Sequence, residues 1–234
     1  SGQIHVRNSD PTTTETAMEF ACFPAGTRML TASGPKAIER LRAGDLLITA
    51  SGKARPLAFL GVQTIHPHPV HGHAARNLPV RIAAHAFGPG APARPLITSW
   101  WHGIMLQGGW IRRWFGQERI IVPAGRLING GSIRPLSAAG VITLYNVVLE
   151  AHDVVFAEGL SVETFRPLNG NQRDFDNWRE FAPFHLPDAE LEARYPPCCP
   201  VLDSDAEGRF IGQNLHRLAG EQLTAALLWP LQAA

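Results

Sequence analysis

The chain has 234 residues, 45% of them hydrophobic and 18% charged, with a formal net charge of +1. Such a balance suits one domain of ordinary to large size with a buried core, and it excludes a disordered chain. It offers no electrostatic footing for nucleic acid or an acidic membrane as partner, and no apolar run reaches the about 18–20 residues that span a bilayer.

Residues 1–21 are polar, with Asp10-Pro11-Thr12-Thr13-Thr14, and read as a flexible leader. The opening Ser1-Gly2-Gln3 has neither a methionine nor the basic and apolar regions of a signal peptide, so a fragment or processed form is expected. From residue 27 the texture changes to short β-branched segments separated by glycine turns. Segments 27–30 and 36–38 flank Ser33-Gly34, and 46–49 and 57–62 flank Ser51-Gly52. One turn of helix is expected at 38–41, before Ala43-Gly44-Asp45, where Asp45 reads as a turn residue bonded to nearby amides. Between 64 and 95 the chain is rich in His, Pro, Ala and Gly and predicts a long irregular loop.

Strand texture returns at 96–98, 104–106 and 110–111, broken by Gly103 and Gly108-Gly109, and continues at 120–122, 141–149 and 154–157. The series predicts an all-β module with little helix. After Phe165 the texture stops. Segments 188–195 and 213–229 carry helix-forming residues, so a partly helical C-terminal tail is expected over 166–234.

Cys22 stands where the leader gives way to the strands, and the other two cysteines, Cys198 and Cys199, are far along the chain. Three cysteines make no disulfide framework, and adjacent thiols rarely bridge because vicinal geometry is strained. Free cysteine is usually a small buried hydrophobe. At the first position of a folding unit, however, a lone thiol reads as a nucleophile toward the bond before it, Ala21–Cys22. A thiol with a pKa near about 8.5 is mostly protonated at neutral pH. It therefore needs an activated carbonyl and an acid to protonate the departing Cys22 nitrogen.

Histidine is the natural acid. Among ten histidines, His102 is set apart by Thr98-Ser99-Trp100-Trp101-His102-Gly103, where Ser99 lies three before it between two apolar segments. Such a Ser-x-x-His turn can aim a hydroxyl and an imidazole at one peptide group. Trp100 and Trp101 read as packing residues that shield a cleft. His66, His68, His71 and His73 offer imidazole nitrogens to a metal. They lie among Pro67, Pro69 and Gly72, however, and a solvated loop is the preferred reading, so no metal and no cofactor is assigned.

Order and spacing add to this. Cys22-Phe23-Pro24-Ala25-Gly26-Thr27, then Leu41-Arg42-Ala43-Gly44-Asp45, then Ser99-x-x-His102, then His152-Asp153-Val154-Val155-Phe156-Ala157-Glu158-Gly159 appear in sequence. Over about residues 22–165 the chain resembles the Hint family, the shared fold of inteins and the hedgehog autoprocessing domain, and within it the bacterial Hint-domain type. The resemblance implies a compact, horseshoe-like all-β fold, residues 1–21 as an N-extein-like leader, and an N–S acyl shift at Ala21–Cys22. It also implies roles: Cys22 as nucleophile, His102 as the histidine that polarises the scissile amide and protonates its nitrogen, and Ser99 in place of the family's threonine. His152 lies near a late-block histidine of the family and reads either as an assisting group or as a structural strand residue.

Departures from the family pattern limit the fate of the thioester. Where inteins end in His-Asn, this chain has Glu163 and Thr164, neither of which cyclises as asparagine does, so splicing is not expected. Where hedgehog domains place an aspartate, the nearest match, Ala58-Phe59-Leu60-Gly61, offers glycine, and no sterol-recognition segment is recognisable. Expected instead is N-terminal cleavage by water, a small thiol or an amine, with the leader as substrate. The alternative is a processing-inactive Hint module serving binding or structure in a larger secreted or surface protein. An ordinary Cys/His hydrolase is a weaker third reading, because no Asp or Asn is seen to orient His102.

Overall fold

The computed structural model describes residues 22–65, 78–136 and 140–222. The leader 1–21, the histidines of 66–77 and the residues after 222 lie outside the described residues. In chain order the strands are β1 (Phe23–Pro24), β2 (Arg28–Thr31), β3 (Gly34–Ala37), β4 (Leu46–Ile48), β5 (Ala54–Pro56), β6 (Phe59–Ile65) and β7 (Val80–Ile82). They continue as β8 (Leu96–Thr98), β9 (Gly103–Gln107), β10 (Arg119–Pro123), β11 (Ile133–Pro135), β12 (Ile142–Val148), β13 (Val154–Ala157) and β14 (Leu160–Glu163). Three short α-helices join them: α1 (Gly109–Phe115), α2 (Asp188–Arg194) and α3 (Asp205–Gln213).

The strands form one large antiparallel sheet and two small ones. The large sheet runs β10-β9-β14-β13-β2-β4-β5, with β3 paired to β2. The small ones run β1-β12-β6 and β11-β7-β8. Turn chemistry sets these pairings. Gly34 (φ 115) lets β2 fold back onto β3 beside Ser33, and Glu158-Gly159, both at positive φ, close the β13–β14 hairpin. Glu158 is held in that left-handed conformation by Arg28 and Arg94, which both reach its buried carboxylate. Apolar side chains of all three sheets, among them Met29, Leu47, Val80, Ile104, Val147 and Leu160, share one core.

The expected turn of helix is present as a 3-10 turn, Ile38–Arg40. Asp45 accepts the Arg42 N–H and the Lys36 ammonium, both at 2.7 Å. One expectation is corrected. Residues 110–111 lie in helix α1, not in a strand. Gly108 (φ 119) turns the chain out of β9, and the left-handed Gly116 (φ 66) closes the helix with its N–H on the Arg112 carbonyl. Of the helix-forming segment 213–229, the described part holds a 3-10 turn, Leu215–Leu218, after α3 ends at Gln213, and residues 223–229 lie outside the described residues. The start signal of α3 is Ser204, whose Oγ accepts the Glu207 N–H at 3.3 Å. The loop expected over 64–95 contains β7, which is paired on both sides.

The partly helical extension after Phe165 packs onto the strands. Phe165, Phe175, Phe184, Leu191 and Tyr195 form a second apolar cluster with Phe59, Leu144, Val148 and Cys22. Asp176 donates its N–H to the Val62 carbonyl at 2.7 Å, and the Asn177 side chain bonds Val62 N–H and the Leu60 carbonyl. Together they close the outer edge of β6, which would otherwise present unpaired backbone groups. Further along, the buried Arg126 guanidinium reaches Asp203 and Asp205 and lies over the Trp100 and Trp101 rings. No helix among the described residues is long and apolar enough to cross a membrane.

That seam has no slack at Gly125, where an added Cβ would fall inside the Trp100 indole while the Gly125 N–H donates to the Trp100 carbonyl at 2.8 Å. Gly125→Ala is expected to destabilise the fold by about 1–3 kcal/mol or more, the usual range for overpacking. A lowered midpoint in urea at unchanged slope is the readout.

Candidate active site

Cys22 sits immediately before β1, whose Phe23 and Pro24 pair with Tyr145 and Leu144 of β12. The turn between β8 and β9 brings Ser99 and His102 to the same place, closed by the His102 N–H donating to the Ser99 carbonyl. The backbone of Cys22 is held on both sides. Its N–H donates to Ser99 Oγ at 3.0 Å, while its carbonyl accepts the Ser99 N–H at 3.0 Å and the buried Thr98 hydroxyl at 3.1 Å. The fully buried His102 ring packs against Phe23, with centroids 4.1 Å apart.

The thiol itself is fully buried, and loss of water pushes its pKa up to about 12. Asn146 of β12, whose Nδ2 lies 4.0 Å from Sγ, works weakly in the other direction. An apolar cavity of about 140 Å³ opens beside this backbone clasp, with Pro24, Ile97, Thr98, Ser99 and Leu144 in its wall.

His152 is not bonded to Cys22. It lies one group further off, with Nε2 3.1 Å from Glu163 Oε2 and Nδ1 accepting the Cys198 N–H at 3.0 Å. Burial opposes charge on this ring, but the Cys198 side chain and the Glu163 carboxylate outweigh it and lift the pKa to about 9. The Cys198 amide works against a second proton, because taking one on Nδ1 means releasing that amide. The other Glu163 oxygen accepts the Gly103 N–H at 2.8 Å. Burial disfavours its charge, but bonding to His152 and attraction to His152 and His102 hold its pKa below the ordinary carboxylate value.

Other positions singled out from the sequence have structural surroundings. Thr164 is buried and ties to Asp153 by its N–H and by its Oγ1, which accepts the Asp153 N–H. Gly61 faces the Phe175 ring, which comes within 2.7 Å of where a Cβ would stand, so an acidic side chain has no room there. Sequence reasoning misses Thr98, Asn146 and Glu163 as contributors. Asn146 carries a visible signal, a polar residue in the otherwise apolar end of a strand, whereas Thr98 and Glu163 carry none short of knowing the pairing. Among the described residues, no three His, Cys, Asp or Glu side chains are grouped to hold a metal ion.

A strand-built domain that clasps the backbone of a buried thiol beside its first strand is the class this geometry defines. Comparison with protein families matches the Hint domain over residues 21–169, and the chain belongs to that family. Its fold is the all-β Hint fold, carrying a partly helical extension. Among solved structures it is similar to a bacterial intein-like domain from Clostridium thermocellum, at 16% identity and a TM-score of 0.43, covering 63% of this chain and 99% of that one. It is also similar to a splice-inactive variant of a class 3 split intein, at 15% identity and a TM-score of 0.35, covering 61% and 96%. A search of curated proteins finds no match.

Proposed function

We propose that this chain is a single-turnover cysteine autopeptidase that cuts its own Ala21–Cys22 bond without splicing. Cys22 Sγ attacks the Ala21 carbonyl carbon, a C–S bond forms, and the C–N bond to Cys22 breaks. The thiol proton ends on the Cys22 nitrogen, which becomes an amine. Water, a thiol or an amine then attacks the thioester, freeing the leader and restoring the Cys22 thiol.

The observation that carries this reading is the clasp on Cys22. An acceptor at the scissile N–H, Ser99 Oγ at 3.0 Å, lets electron density collect on the atom that must take a proton as it departs. The Cys22 carbonyl, held by Thr98 and Ser99, fixes the orientation of the nucleophile's own backbone. His102 is assigned the acid role, consistent with its ring lying over the residue next to Cys22. Glu163 and Thr164, each engaged elsewhere, leave no group for asparagine-type cyclisation. One observation favours the second reading, an inactive module: the buried thiol with its pKa near 12 is poorly disposed to ionise.

The test is the full chain behind an N-terminal fusion, followed by mass with and without dithiothreitol. The proposal predicts a fragment ending at Ala21 whose release the thiol accelerates. Intact protein in both conditions after hours at neutral pH sinks it.

A further inference from the structure

Resting on that reading, the geometry points to Glu163 as a positioning residue that holds His102 ready as the acid for departure of the Cys22 nitrogen. Three observations make its carboxylate part of a built arrangement. First, β14 pairs with β9 through Val162 and Ile104, which places Glu163 alongside Gly103, the residue after His102. Second, Gly103 has no side chain where one could not exist. A Cβ there would collide with Glu163 Oε1, with Glu163 Cδ at 2.6 Å, and with Ile121. Its bare backbone instead donates an N–H to Glu163 at 2.8 Å. Third, the second carboxylate oxygen is taken by His152, whose far nitrogen accepts the Cys198 amide.

A chain of contacts therefore runs from the extension, through His152 and Glu163, to the backbone next to His102. The carboxylate is nearly buried, with 14% of its side chain exposed, and it lies within electrostatic reach of His102. A negative charge in such surroundings favours the protonated imidazole beside it by more than it would in water. Among the described residues, other groups facing this carboxylate are few. His152 donates to it, the Cys199 thiol lies near enough to feel its charge, Cys198 borders His152, and Arg119 of β10 acts on Cys199 from outside. Cys22 stays protonated at working pH and adds no charge.

In the reaction the thiol proton must reach the nitrogen through His102, so neutral His102 with the thiol, or its protonated form with the thiolate, is the working pair. The acid limb of the cleavage profile then reports His102, and the alkaline limb reports Cys22. Removing the Glu163 charge makes the imidazolium harder to form, so the acid limb moves to lower pH.

The experiment uses the full chain in two forms. In active protein, the pH–rate profile of leader release is compared between Glu163 and Glu163→Gln, which keeps an oxygen for the Gly103 N–H. In Cys22→Ala protein, which stays whole, the His102 titration is followed by NMR with and without Glu163→Gln. The expected result is a His102 midpoint lower by about one pH unit in Glu163→Gln, with the acid limb moving by a similar amount. A His102 midpoint that moves less than about 0.3 units overturns the proposal, using the same scale. Should Glu163→Gln fail to fold, Glu163→Asp is read instead, where retention of the parent midpoint supports the charge role and its loss overturns it. Because the NMR arm needs no cleavage, an uncut parent chain counts against the autopeptidase and not against the role of Glu163.

Discussion

Cys22→Ala in the full chain is expected to leave the leader attached through incubation that fully cuts the parent, a loss of at least about 10³-fold, as removal of a nucleophile commonly produces. The reason is specific to this site. With the thiol pKa near 12, the thiolate fraction at pH 7 is about 10⁻⁵, against about 3% for an ordinary cysteine. A free thiolate waiting in the cleft is therefore not the attacking species. The proton has to leave as the C–S bond forms, passing to a neighbouring base, and the rate climbs with pH until that base is neutral. No other thiol is bonded to Ser99 or packed on β12, so none substitutes for Cys22 among the described residues. Removing the buried SH group costs about 1 kcal/mol of packing, too little to unfold a domain of this size. A melt within a few degrees of the parent, together with intact mass by spectrometry, separates lost chemistry from lost fold. Cleavage persisting in Cys22→Ala would rule out the acyl shift.

Burial of the thiol has a second side, which joins function to the extension. The apolar cluster that holds Cys22 takes most of its aromatic residues from Phe165 to Tyr195, and burial in it removes the water that would stabilise a thiolate. On the proposed reading the same exclusion would slow the attack of bulk water on a thioester, and it strengthens each electrostatic contact in the cleft. Chemistry and packing pull in opposite directions here. On the proposed reading, a drier cleft raises the barrier to ionising Cys22 while it would raise the effect of Ser99, His102 and Glu163 on the Ala21–Cys22 bond.

Much of the candidate site is legible in the sequence because its residues fall in local runs. Cys22-Phe23-Pro24, Ser99-x-x-His102 and the turn at Gly44-Asp45 are short, and the last two close on their own residues. Strands with apolar β-branched runs, such as β8 and β13, are equally plain. The hidden part depends on pairing between distant segments. Glu163 reads as a missing histidine until β14 is laid against β9, which sets its carboxylate on Gly103, sixty residues away in sequence. The extension reads as a partly helical tail, and its packing onto the strands goes unseen because its apolar residues are scattered. They match no helical face, since they are spaced to fill the surface of β6 and β12. Helix α1 reads as a strand because Trp110-Ile111 is apolar and β-prone, and only its context, Gly108 before and the left-handed Gly116 after, makes it helical.

His102→Ala is expected to slow cleavage by about 10²–10⁴-fold, the range for loss of a positioned acid, without abolishing it. Residual rate comes from the bonds the turn retains, since Ser99 keeps its bond to the Cys22 N–H and Thr98 its bond to the carbonyl. The variant also opens a cavity beside Phe23, which packs on the imidazole. His102→Gln is therefore the better comparison, because it fills more of the space while carrying no group that titrates near neutrality. The two substitutions should agree in rate. They should also share a flattened pH profile, lacking the acid limb that a titrating His102 gives the parent. A packing defect alone would lower the rate at every pH and leave the limb in place. Rates of leader release between pH 5 and 9, measured on folded protein of each variant, decide between these outcomes. An unchanged limb in His102→Gln moves the acid role to His152, the nearest remaining imidazole on the Glu163 carboxylate.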